Sequence, residues 1–198
     1  KLSELATNKN RVLMVGHLLN YHNAFIKMKE LIKNGKIGVP QNIRANRQAL
    51  GSIRSEESVI YDLSTHDISM ILSITEELPI DVNVQSIHHH NNIGPDAICV
   101  KLSFSKSLTA LINSDWMCSY KEHKFSVIGT KGSLIFDDTK SWPEKLLFNP
   151  SFVTSNNSII TAPIEKIKIQ ENEPLKSELE SFIDCLHSRK SPLTDHKE

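Results

Sequence analysis

Asp62 and His66, in the stretch Tyr61-Asp-Leu-Ser-Thr-His-Asp67, are the chain's best candidates for chemistry. On an α-helix that spacing brings both side chains to one face, one turn apart. Imidazole exchanges a proton near neutral pH, and a neighbouring carboxylate holds its tautomer or raises its basicity. Such a pair suits a substrate hydroxyl whose proton must leave. Asp67 lies about 100° further round an ideal helix and need not join the same site.

Other eye-catching residues read more simply. In a strand, His88 and His90 of the triplet His88-His89-His90 share a face while His89 points away. No carboxylate or thiol nearby completes a ligand set, so surface histidines are expected and no metal. Gly129-Thr-Lys-Gly-Ser133 sits between two strand-like runs and lacks the full phosphate-loop spacing, so it reads as a β-turn. Trp116 and Lys121 follow a strand, where they can offer a flat face and a cation to a ligand. Cys99, Cys118 and Cys185 are far apart, which predicts buried or half-buried free thiols in a reducing cytoplasm. The chain contains no GxGxxG, GxSxG or HExxH.

The elements that must position Asp62 and His66 follow from periodicity. At 198 residues, 39% apolar and 23% charged, the chain can bury a full core as one domain. Lys plus Arg balance Asp plus Glu at 23 each, so no overall field draws nucleic acid or an anionic membrane, and no apolar run is long enough to span a bilayer. A short helix ends near Thr7, and Val12–Val15 reads as a buried strand. Phe25, Met28, Leu31 and Ile32 predict a helix over 22–34, Gln41 to Ala49 a strand, and Val59, Leu63, Ile71 and Leu72 a helix over 58–73. Short β-type runs then alternate with turns from Val82 to Phe148, the signature of an antiparallel meander. Residues 151–162 read as a polar surface loop and 164–169 as a further strand. A last helix follows Glu173-Pro174, with Leu175, Leu179, Phe182, Ile183 and Leu186 turned inward.

The expected fold class is therefore α+β: a large, mainly antiparallel open sheet with helices on one face. The other sheet face is expected to be covered by a second subunit, giving a homodimer or homotetramer. The opening residues have no initiator Met and look like the end of a helix that began earlier. Together with the strand after them, they suggest a remnant of a Rossmann domain and a piece of a longer protein.

In this order, the motifs resemble the C-terminal part of the Gfo/Idh/MocA family of oxidoreductases, named for glucose–fructose oxidoreductase and inositol dehydrogenase. Val12 to His17 is similar to the family's last Rossmann strand. Phe25 to Gly38 is similar to its next helix and glycine-rich turn, and Tyr61 to Asp67 to its Asp-x-x-x-His helix. Val127 to Leu134 matches a strand–turn–strand, and Glu173-Pro-Leu with Glu180, Phe182 and Pro192 its closing helix. Two departures stand out: Asn20 and Asn23 replace an arginine and a proline of the family, and Ser58 to Tyr61 replaces glycines before the Asp-x-x-x-His segment.

The resemblance implies an NAD(P)-dependent oxidoreductase that moves a hydride between a nicotinamide and a hydroxyl carbon of a sugar, nucleotide-sugar or polyol. His66 would be the acid/base and Asp62 its partner, working with a lysine that this chain does not supply. NAD or NADP would be bound mainly by another domain, with no cofactor-binding residue in this chain, and the chain alone is expected to be inactive. Residues 1–17 would belong to the N-terminal dinucleotide-binding domain, and 18–198 would form the substrate-binding and oligomerisation domain. Tyr21, Arg47 and Lys121 are expected to contact substrate, from their placement near the cleft. The alternatives are a reductase of the same fold with a non-sugar substrate, or a non-catalytic module that assembles or binds through its sheet.

Overall fold

The structure is a computed structural model and describes residues 1–51, 56–88 and 94–195. α1 spans Leu2–Asn8 and α2 spans Asn23–Lys33, with a 3-10 turn at Leu18–Tyr21 between them. His22 caps α2, its Nδ1 accepting from the Ala24 N–H at 3.1 Å. Gly35, at a φ of +75°, takes the left-handed turn after the helix that a side chain would resist. The expected helix over 1–7 is present. Val12–Val15 forms no strand; with no neighbouring strand to pair with, its backbone instead meets the C-terminal segment, Val15 N–H donating to Thr194 O at 2.9 Å.

Pro40–Gln48 forms β1, the strand around which the sheet is organised. Proline at its first residue costs no ladder bond. A π-helical turn at Ile60–Ser64 leads into α3, Thr65–Thr75. Five further strands complete the body of the sheet in sequence order: β2 Asp81–Ile87, β3 Ala97–Ser103, β4 Thr109–Asp115, β5 Glu122–Gly129 and β6 Gly132–Asp137. β7 is Leu146–Asn149, β8 Phe152–Val153, β9 Ile159–Ile160 and β10 Glu165–Lys166, and α4 is Pro174–Ser188. The eight-stranded sheet runs β10-β7-β6-β5-β1-β4-β3-β2.

Neighbouring strands are antiparallel throughout, except that β1 lies parallel to β4. The expected meander is thus interrupted: β1 inserts between β4 and β5, and the stretch through α3, β2 and β3 acts as the long crossover that a parallel pair requires. Residues 151–162, expected as a loop, carry the separate β8–β9 hairpin, and of the expected strand over 164–169 Glu165–Lys166 forms β10, with the Ile167 N–H also donating to Leu146 O of β7 at 3.0 Å.

Period-two alternation decides which side is covered. Ile43 and Ala45 of β1, Val100 and Leu102 of β3, Ala110 and Ile112 of β4, Phe125 and Val127 of β5, and Leu134 and Phe136 of β6 are all buried under the helices. Phe25 of α2 meets Phe125 edge-on at 5.9 Å between ring centroids, and Met70 and Ile71 of α3 are sealed in the same core. The opposite face is mixed: Arg44, Asn46, Asn113, Glu122 and Lys124 stand among Leu111, Ile128 and Ile135. β2 at the sheet edge is exposed along its whole length.

α4 reverses the expected orientation. Leu175, Leu179, Ile183 and Leu186 are exposed, whereas Glu178 and Cys185 are the residues it buries. The amphipathic pattern is present, but among the described residues nothing covers the apolar stripe. Cys99 is also exposed, against the expectation of a shielded thiol, because it lies on the open side of β3. His88 is exposed, and His89 and His90 lie outside the described residues.

The turn at Gly129 and Gly132 closes β5 onto β6, as the sequence suggests. A Cβ on Gly129 would sit 2.3 Å from Ile37 O and 3.1 Å from Val39 O, backbone atoms that cannot step aside. Gly129→Ala should therefore cost about 3 kcal/mol and lower the thermal midpoint by roughly 6–12 °C. Gly16→Ala, with nothing within 4 Å of its Cβ, should change little by the same melting experiment.

Candidate active site

Arg47 lies on the covered side of β1, in line with Ile43 and Ala45, so its charge enters the core and needs a partner. Asp67 of α3 supplies it. Arg47 Nε donates to Asp67 Oδ2 at 3.0 Å and Nη2 to Oδ1 at 3.1 Å, a two-pronged pair in which both residues are almost fully buried. Asp67 thus turns toward the sheet, as its angle on the helix allows, and this fixes how α3 lies across β1.

The turn before α3 is wound more widely than an α-helix: the Thr65 N–H reaches back five residues to Ile60 O. Such π turns recur at functional sites because they re-aim side chains. Here Asp62 lies in the wide turn and His66 in the first α-helical turn, so they are not stacked as on a uniform α-helix. Two contacts brace the turn. Ser64 Oγ donates to Ser114 Oγ of β4 at 2.8 Å, and Val59 N–H donates to Pro95 O at 3.2 Å. Beneath it Gly94 approaches so closely that a Cβ would fall 2.2 Å from Ser58 Cβ.

His66 is half-buried, and its Nδ1 has no hydrogen-bond partner among the described residues. Burial lowers its pKa from the ordinary imidazole value; the Arg47 guanidinium and His17 push the same way, and Asp67 and Asp62 oppose them in part. The ring is therefore neutral at neutral pH, the form that accepts a proton. His17, just ahead of the 3-10 turn, is itself lowered by burial. His123 of β5 is pushed down to about 4, first by burial and then by Arg47 and Lys121. Arg47 thus influences two imidazoles at once.

The three substrate-contact candidates have different surroundings. Arg47 is held by Asp67. Tyr21 is buried, its hydroxyl 3.2 Å from Thr194 Oγ1 and 3.6 Å from Met14 Sδ, so it joins the N-terminal segment to the C-terminal one. Lys121 is exposed between β4 and β5. Trp116 is also interior, with Nε1 donating to Asp96 Oδ1 at 3.1 Å. Sequence reasoning names Asn20 as a departure from the family but does not place it, His17, Ser69 or His123 at the site; His17, Asn20 and Ser69 come together only because the 3-10 turn packs against α3.

A second polar cluster lies across the fold. His22 stacks on Trp142 at 4.8 Å and approaches Asp138 Oδ1 at 3.5 Å, and Lys145 Nζ donates to Asp138 Oδ1 at 2.7 Å. Against the upward pull of burial, these partners hold the Asp138 carboxyl well below the usual carboxylate range. The cluster pins the start of α2 to the β6–β7 connection. Among the described residues no group of His, Cys, Asp and Glu can hold a metal ion, and no helix is long and apolar enough to cross a membrane.

Comparison with known proteins bears on this geometry. UDP-N-acetylglucosamine 3-dehydrogenase from Acidithiobacillus ferrooxidans superposes with a TM-score of 0.79 at 19% identity, covering 98% of this chain and 60% of its own. Aldose-aldose oxidoreductase from Caulobacter crescentus gives 0.77 at 16% identity, covering 96% and 58%. A protein from Desulfitobacterium hafniense, proposed to be an NADPH-dependent oxidoreductase, gives 0.78 at 16% identity, covering 96% and 59%. These likenesses establish the fold, and the chain spans about three fifths of the length of each. No curated protein matches it by sequence. Residues 25–135, more than half of the chain, match the family described as GFO/IDH/MocA C-terminal domain. The chain, with its one-sided sheet and the Asp62–His66 turn set against it, belongs to the GFO/IDH/MocA family.

Proposed function

We propose that this chain is the substrate-binding domain of an NAD(P)-dependent oxidoreductase that interconverts a hydroxyl and a carbonyl on a sugar, nucleotide-sugar or polyol. The observation that carries the reading is His66: an imidazole kept neutral by burial and by Arg47, beside a carboxylate, in the first turn of α3 just after a π turn braced by β4. Family membership and oxidoreductase neighbours of the same fold support it. A nucleotide-sugar substrate draws support from the Acidithiobacillus neighbour's name alone.

The chain's own residues do not fit a dinucleotide. Its seven glycines include no GxGxxG, and among the described residues no glycine-rich turn carries a strand into a helix to cradle a pyrophosphate. This chain's part in the reaction is proton transfer and positioning. His66 Nε2 takes the hydroxyl proton, and the neutral ring has the lone pair to do so. Asp62 and Asp67 steady the imidazolium that results, while Arg47, fixed by its pair with Asp67, keeps the resting ring unprotonated. Lys121 is an exposed cation available to a polar substrate.

The exposed leucine stripe of α4, with Leu2 and Leu5 of α1, is an apolar surface suited to a dinucleotide-binding domain to which residues 1–17 would belong. The open sheet face, with Leu111, Ile128 and Ile135 among paired polar residues, is the proposed homo-oligomer surface. Ile135→Lys should then turn the full-length protein from oligomer to monomer in light scattering, and unchanged mass would rule this surface out.

Replacing His66 with Ala in the full-length enzyme should lower kcat by about a hundredfold or more and leave dinucleotide affinity nearly unchanged. Survival of full turnover would remove His66 from the chemistry. A pH profile gives an independent check. The base form of His66 predominates above its pKa, which lies below the ordinary imidazole value, so alcohol oxidation should hold steady as pH falls to about 6.5 and decline only below that. A decline that begins above neutral pH would point to a different group.

A further inference from the structure

Three buried side-chain polar atoms have no hydrogen-bond partner among the described residues: Asn20 Oδ1, His66 Nδ1 and Glu178 Oε1. They belong to the 3-10 turn, to α3 and to α4, and the turn packs against both helices. A buried donor or acceptor left unmet lowers stability, so each needs a partner. Burial raises the pKa of Glu178, which reduces its charge. The other two atoms are better explained together.

The Asn20 side chain is 1% exposed and tethered at one end, Nδ2 donating to Ser69 Oγ at 2.6 Å. Ser69 follows His66 by one helical step of three residues, so the two are neighbours on the surface of α3. The Asn20 N–H donates to His17 O at 2.9 Å, and His17 is one of the charges that His66 senses. The tether uses the donor end of the amide. Its acceptor end, Oδ1, is buried and unmet among the described residues.

We propose that Asn20 is a positioning residue that fixes the His66 tautomer: its Oδ1 accepts the Nδ1 hydrogen through one buried water, leaving the Nε2 lone pair for substrate. The inference rests on the reading of His66 as proton acceptor. The charged groups around the ring are Arg47 from β1, Asp62 and Asp67 from its own element, and His17 from the segment before the turn, and none of them bonds Nδ1. Arg47 can only donate and is committed to Asp67. An amide at this position sets the tautomer without adding charge, so the ring stays neutral. A carboxylate would set it too, but would draw the ring toward imidazolium.

Long-range proton–nitrogen NMR on the full-length protein reads the tautomer directly, at about pH 7.5, above the ordinary imidazole pKa. His66 should carry its hydrogen on Nδ1, and Asn20→Leu should shift it toward Nε2 and lower kcat by about tenfold with KM little changed. Asn20→Asp preserves the shape of the side chain and should raise the His66 titration midpoint by about one unit or more. Hydrogen on Nε2 in the unaltered protein, or the same tautomer in Asn20→Leu, would overturn the proposal. If Asn20→Leu fails to fold, an unmoved midpoint in Asn20→Asp overturns it alone. The NMR readout does not need turnover, so a His66→Ala enzyme that stays active would sink the reading of His66 as base while leaving the tautomer result to be judged by itself.

Discussion

The pair between Arg47 and Asp67 sets the geometry on which the rest of the site depends. A guanidinium on the covered side of a central strand could not stay there unpaired, because removing it from water without a counter-charge costs far more than a fold can spare. Meeting that need ties α3 to β1 at one register. Once Asp67 is fixed against the sheet, His66 beside it must turn away from Arg47's pairing direction. The same guanidinium then acts at a distance, lowering the affinity of His66 and His123 for protons. One buried ion pair serves both as a register pin and as the source of the local field.

Around that pin, the fold joins segments that are remote in sequence. The 3-10 turn at Leu18–Tyr21 stands between α3 and α4, with Asn20 reaching Ser69 on one side and the Tyr21 carbonyl accepting from Asn172 Nδ2 on the other. Thr194 closes the arrangement by bonding Val15 O and lying against the Tyr21 hydroxyl. The first and last segments of the chain are thus held together on the side of the molecule that carries the histidines. The apolar stripe of α4 and the leucines of α1 lie open there, whereas the sheet core is sealed. The core under the sheet is complete, while the outer face of α4 stays exposed.

Much of this was legible in the residues. Period-two alternation gave most strands of the sheet, the 3.6-residue period gave α2 and α4, and Gly129 to Gly132 was recognisable as a turn because it separates two such alternating runs. The errors share a cause. Val12–Val15 has a strand's composition, but a strand needs a partner, and none lies beside it. The pattern of α4 predicts its leucines inward, yet they are exposed, because amphipathicity names an apolar face without saying what covers it. The insertion of β1 beside β4 left no trace in either strand's pattern, since side-chain alternation is the same for parallel and antiparallel neighbours.

The site divides along the same line. Sequence by itself determined the candidate pair, Asp62 and His66, because their types and spacing are local properties, and it determined the family through the order of its motifs. Only the tertiary structure decided that Arg47 is bound to Asp67, that Tyr21 is interior, and that His17, Asn20 and Ser69 gather near His66. Burial, field and hydrogen-bond supply are sums over whatever surrounds a group, and those surroundings come from parts of the chain that no local pattern connects.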